Sequence, residues 1–184
     1  MTAPVVLVGC SAQNASPLPA EIEGLQFGAP STAVVEKIKP SGQHAIAPLP
    51  KRPGSTLITW TPAANPRYEK IAFEFNENDR LYLIRFTPLK EHRFNLGQLK
   101  TLFFTKYSFE GDPNRMRLGD RDVVVYASST SNLTFFEIRD VKTGEVALEL
   151  FKAEISRQGR PPLLFRPRPQ PGESSREENG IHGG

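Results

Sequence analysis

Apolar and polar residues alternate with a period of two from Ile71 to Asn76, where Ile71, Phe73 and Phe75 interleave with Ala72, Glu74 and Asn76. That period sends one set of side chains to a buried face and the other towards solvent, so it predicts a strand. Asn76-Glu77-Asn78-Asp79 is turn chemistry, and the apolar run Leu81 to Phe86 predicts the returning partner strand. A second hairpin follows the same logic: Leu133 to Arg139, a turn at Val141-Lys142-Thr143-Gly144, then Val146 to Phe151. Thr56 to Thr61 and Val123 to Tyr126 are β-branched and aromatic, the composition of further strands. The period lengthens to that of a helix in two places. Ser31 to Lys39 follows Pro30 and carries Val34, Val35 and Ile38 on one side; Leu96, Leu99, Phe103 and Tyr107 share a helical face behind Asn95, a suitable N-cap.

The order helix, strand, strand, strand therefore occurs twice. It predicts an α+β fold: an antiparallel sheet of about six strands with two helices on one face. The pseudo-repeats cover about 24–88 and 94–153 of a single domain spanning 21–155. Residues 40–55 contain Pro40, Pro48, Pro50 and Pro53 with Gly42 and Gly54, which predicts a long extended loop. Residues 1–20 read as a truncated signal followed by a polar tether, and 156–184 as a disordered Pro/Arg-rich tail. In that tail Arg160, Arg166 and Arg168 are diluted by Glu173, Glu177 and Glu178.

Composition narrows the classes. Of 184 residues, 38% are hydrophobic, below the usual share, and the shortfall lies at the two ends. The net charge of +3 is mild, and no cluster of Lys and Arg on one face predicts a nucleic-acid partner. A single cysteine excludes an intrachain disulfide framework. No apolar run approaches the roughly 20 residues that span a bilayer.

That cysteine, Cys10, ends the run Leu7-Val8-Gly9-Cys10. The run resembles the lipobox of bacterial lipoproteins, which implies lipid attachment at Cys10 and a membrane anchor facing the periplasm. Met1 to Gly9 has no Lys or Arg and only Pro4 to Val8 as an apolar core, so the match is to the end of a longer signal with its start upstream. Without lipid, Cys10 reads as a small buried hydrophobe. Leu25-Gln26-Phe27-Gly28 ahead of Val34 and Val35, with Phe73 to Tyr82 as an aromatic hairpin around an acidic turn, resembles two families. These are the small lipoprotein of the outer-membrane β-barrel assembly machinery and the β-lactamase-inhibitor-like domains with tandem helix-plus-sheet repeats. The resemblance covers about residues 24–88 and implies a non-enzymatic protein that binds other proteins.

Candidate chemistry is sparse. His44, His92 and His182 lack metal-ligand spacing. Asp112, Asp120 and Asp122 are interrupted by Arg115, Arg117 and Arg121, which predicts solvated ion pairs rather than a calcium loop. Ser128 to Ser131 reads as a polar turn, and neither a nucleophile-elbow nor a phosphate-loop motif is present. Most aromatics fall on faces expected to pack together. Phe104 and Phe135 are expected to point away from those faces and to serve as partner contacts. The resulting expectation is a non-enzymatic envelope lipoprotein domain that binds another envelope protein, with no cofactor, metal or nucleic acid. The alternative is a soluble small-molecule-binding or enzymatic domain, with a site between helices and sheet and His92, Arg85 and Glu74 as the residues to inspect first.

Overall fold

The computed structural model of the chain describes residues 16–50, 52–65, 67–93 and 95–156. Cys10, His182 and the Arg-Pro arm lie outside the described residues. The first half runs α1 (Ser31–Ile38), β1 (Gly42–Pro48), β2 (Thr56–Pro62), β3 (Tyr68–Phe75) and β4 (Leu81–Pro88). The second runs α2 (Leu96–Tyr107), β5 (Asn114–Leu118), β6 (Arg121–Ala127), β7 (Leu133–Asp140) and β8 (Val146–Lys152). Each half is a helix followed by a four-stranded antiparallel meander. The halves meet through their last strands, giving one sheet in the order β1-β2-β3-β4-β8-β7-β6-β5. At the seam Leu83 pairs with Phe151, Ile84 with Leu150, Arg85 with Glu149 and Phe86 with Leu148, antiparallel.

The fold is α+β with both helices on one sheet face, as the pattern predicts, but the sheet has eight strands rather than about six. The two extra strands are the edges. Residues 42–48, expected as loop, form β1, because an edge strand tolerates Pro48 and the other prolines fall in the flanking turns. Gly42 opens β1 for a steric reason: a Cβ there would lie 2.4 Å from the Thr61 carbonyl oxygen and 2.5 Å from Trp60 Nε1. β5 hides behind its arginines, which an exposed edge accommodates.

Packing on the helix face explains the elements. α1 buries Val34 and Ile38, and α2 buries Leu96, Leu99 and Phe103, against Ile58, Trp60, Phe73, Phe86, Phe135 and Leu148 of the sheet. Phe103 is the central contact, its ring 5.2 Å from Phe86 of the first half and 5.3 Å from Phe135 of the second. Asp79 sits in the β3–β4 turn at φ 57°, and both its carboxylate oxygens accept the Ser31 N–H at 3.2 Å. The acidic turn thus caps α1 from across the chain, favourably placed at the positive end of the helix. Asn95 caps α2 through its backbone carbonyl, which accepts from Gln98 and Leu99, and not through its side chain.

The N-terminal residues 16–20, expected to belong to the tether, are seated on the domain instead. Leu18 and Ile22 enter the core, and the Tyr68 hydroxyl donates to the Pro17 carbonyl at 2.7 Å. Burial pushes the Tyr68 hydroxyl far up from its ordinary range, which keeps it a donor.

Truncating Phe103 to Ala is expected to cost about 3–5 kcal/mol in urea unfolding, because the cavity opens between both halves. Ile46→Ala on exposed β1 is expected to stay within about 0.5 kcal/mol of the parent in the isolated chain.

Candidate functional site

The opposite face of the sheet carries a second apolar cluster of Tyr82, Leu83, Val123, Phe136, Ile138 and Phe151, to which, among the described residues, no helical residue contributes. Its composition follows from the pleat, with one exception. A register shift between Glu74 and Phe75 leaves Tyr82 as an extra residue in β4, so that Tyr82 and Leu83 both turn to this face. Ile155 packs on the cluster, and its carbonyl accepts a bond from Asn76 Nδ2 at 2.7 Å.

Across the middle of this face runs a chain of ionisable groups. Arg52 Nη1 donates to the Tyr82 hydroxyl at 2.8 Å, and that hydroxyl donates to Glu74 Oε2 at 2.6 Å. Arg85 follows, with Nη2 3.5 Å from Glu74 Oε1 and Nε donating to Glu149 Oε1 at 2.6 Å. Register brings them together: Arg85 lies directly opposite Glu149 on β8 and opposite Ala72 on β3, with Glu74 on the diagonal. Arg85 is the exposed member of this part of the chain, with 36% of its side chain in solvent, against 11% for Glu74 on one side of it and none for Glu149 on the other.

Burial dominates the proton affinities here. It pushes the Glu149 carboxyl up, with Glu74 adding to the push, against the pull of Arg85 and Arg121. The same burial lifts the Tyr82 hydroxyl, and the neighbouring Glu74 charge lifts it further, which fixes Tyr82 as a proton donor to Glu74. For Arg85 burial acts downwards, and the two carboxylates more than offset it. Glu149 Oε2 is buried and makes no hydrogen bond. An orphaned carboxylate oxygen costs about 1–3 kcal/mol and gives the fold nothing in return. Beside it opens a cleft of about 170 Å³, lined by Arg85, Thr87, Arg121, Asp140 and Glu149 among others. That volume is below the range of pockets for drug-sized ligands and fits a side chain or a small polar group.

Of the residues singled out by sequence, Arg85 and Glu74 are brought together, while Arg52, Tyr82 and Glu149 were missed. His92 lies in the 3-10 turn Lys90–Arg93 ahead of α2, and His44 lies in β1. Phe135 is fully buried on the helix face, so it is a core residue rather than the exposed contact expected. Its strand alternates normally, and its ring packs 5.3 Å from Phe103. Phe104 is half-buried, its ring 4.6 Å from Tyr126 and 5.5 Å from Phe135, with the Lys100 ammonium 5.9 Å above it. Lys100 is held there by Glu137 at 2.8 Å and the Tyr126 hydroxyl at 3.2 Å. Asp120 and Asp122 pair with Lys142 and Arg117 at the surface, and Ser128 is tied into its own turn by Ser131. Among the described residues no three His, Cys, Asp or Glu side chains converge to hold a metal ion, and no helix is long and apolar enough to cross a membrane. The chain matches no protein-family model, no curated protein and no solved structure.

Two outcomes test this geometry. Replacing Arg85 with Met leaves two carboxylates without their cation and is expected to cost about 3 kcal/mol, the low end for a broken pair because Arg85 keeps a third of its side chain in solvent. The second follows from Glu149, whose folded pKa lies above the ordinary 4.5. Its contribution to stability is complete below that value and is lost as pH rises through the folded pKa. The stability of Glu149→Gln relative to the parent is therefore expected to climb as pH rises above 4.5, measured by urea unfolding at each pH.

Proposed function

We propose that the chain is a non-catalytic binding domain of the bacterial cell envelope, anchored by lipid on Cys10, that receives a protein partner on the helix-free sheet face. The observation that carries the reading is Arg85. Two carboxylates fix its guanidinium at the centre of that face, and the side chain stays partly open to solvent. A cation held in this way loses little conformational freedom when it binds, and central arginines are frequent anchors of protein interfaces. Its remaining N–H donors call for carbonyl or carboxylate oxygens on the partner. The 170 Å³ cleft alongside accepts one side chain from the same partner.

The anchor adds a distance constraint. Ser16 is docked beside Arg67, so only residues 11–15 separate the domain from a lipid on Cys10. At about 3.5 Å per residue this holds the domain within about 20 Å of the membrane surface. A second reading, binding of a small polar molecule in the cleft, is favoured by the orphaned Glu149 Oε2.

Fatty acid fed to cells is expected to label the protein, and Cys10→Ala is expected to abolish both the label and the membrane association. A photo-crosslinking residue at Thr87, on the cleft, is expected to trap one discrete envelope protein, while the same residue at exposed Thr101 on α2 traps none. Arg85→Lys keeps the charge but not the fork, and is expected to weaken that partner by about tenfold. Unlabelled protein, or no adduct at Thr87, contradicts the reading.

A further inference from the structure

Among the described residues the sheet has two free edges, β1 and β5, and only one is protected. β5 is short and carries Arg115 and Arg117, so two β5 edges laid together would set like charges side by side. β1 is longer, has no charged residue, and leaves Gln43 and every residue from Ala45 to Pro48 exposed. Among the described residues Ile46 is the most exposed of the large hydrophobics, at 59%. It lies opposite buried Ile58 and so belongs to the helix-covered face, yet the helical layer stops short of it. Natural sheets blunt such an edge with charge, a bulge or a cover, and among the described residues β1 has none along its length beyond its terminal proline.

We propose that β1 is an interface for a second copy of this chain, β1 pairing antiparallel with β1 across a twofold axis at Ala45. This occupant follows from the residues. Centring on Ala45 pairs all of β1 with itself, placing Gln43 opposite Ala47 and His44 opposite Ile46. No like charges meet, and the exposed Ile46 of each copy lies on the diagonal from the other, across the axis. The contact is isologous, so it closes at two copies, and the Arg-bearing β5 edges face outwards and stop further addition. The dimer does not depend on the Arg85 face, so either reading stands or falls without the other.

The test is the mass of the full purified chain by light scattering over a concentration series. It is expected to rise from 20.5 kDa to twice that value. Ile46→Lys places two ammonium groups at the twofold and is expected to remain at 20.5 kDa at concentrations where the parent has doubled. Met116→Lys on β5 and Arg85→Lys are expected to dimerise like the parent. Circular dichroism checks that each variant is folded. As a second measurement, Cys10→Ser/Ala45→Cys is expected to form a covalent dimer under mild oxidation, because directly opposed strand residues lie within disulfide reach. A parent chain that stays at one-copy mass, or a dimer indifferent to Ile46→Lys, overturns the proposal. So does Ala45→Cys protein that forms no covalent dimer while the chain associates.

Discussion

The seam between β4 and β8 is the contact on which the rest of the structure depends. Neither meander has a partner on its inner side without it, and each helix would cover only half a core. On the helix face the seam stacks Ile84 and Phe86 against Leu148 and Leu150, with Phe103 of α2 reaching over both halves. On the other face the same four residue pairs place Arg85 across from Glu149. The apolar side supplies most of the stabilisation, since burying a large side chain is worth about 1.5–3 kcal/mol. The polar side works differently. A buried ion pair seldom outweighs the desolvation of its members, and here one carboxylate oxygen stays unbonded. A hydrophobic pair at Arg85 and Glu149 would serve the fold at least as well. Such departures from local economy are where function is expected.

Much of the fold was legible because apolar residues alternate with small or polar ones over long stretches, even where, as at Ala72 and Glu74 of β3, the second set is buried as well. Ile71, Phe73 and Phe75 alternate cleanly since the helices cover one face of β3, and α2 shows its stripe for the same reason. The edges were not legible. β1 is exposed on both faces, so no alternation marks it, and β5 interleaves arginines with Met116 and Leu118 in a segment that reads as loop. The docking of residues 16–20 depends on Tyr68 and Arg67, fifty residues away, which no local pattern encodes.

The polar chain on the helix-free face was half legible. Glu74 between Phe73 and Phe75, Arg85 between Ile84 and Phe86, and Glu149 between Leu148 and Leu150 are each a charge flanked by core residues. Taken singly each reads as a solvent-facing position; only strand order shows that all three belong to adjacent central strands. Tyr82 was hidden by the bulge, which breaks the alternation from which its face would be inferred. Phe135 was misplaced because Phe136 beside it is also buried, on the opposite face. A strand buried on both sides gives no signal for which aromatic faces which way.

If the seam unites the two halves, hydrogen exchange under native conditions should reveal it. The amides of residues 83–86 and 148–151 are predicted to be among the slowest, and to open with one common free energy shared by the inner strands of both halves. Two separate opening free energies, one for β1–β4 and another for β5–β8, would contradict the account.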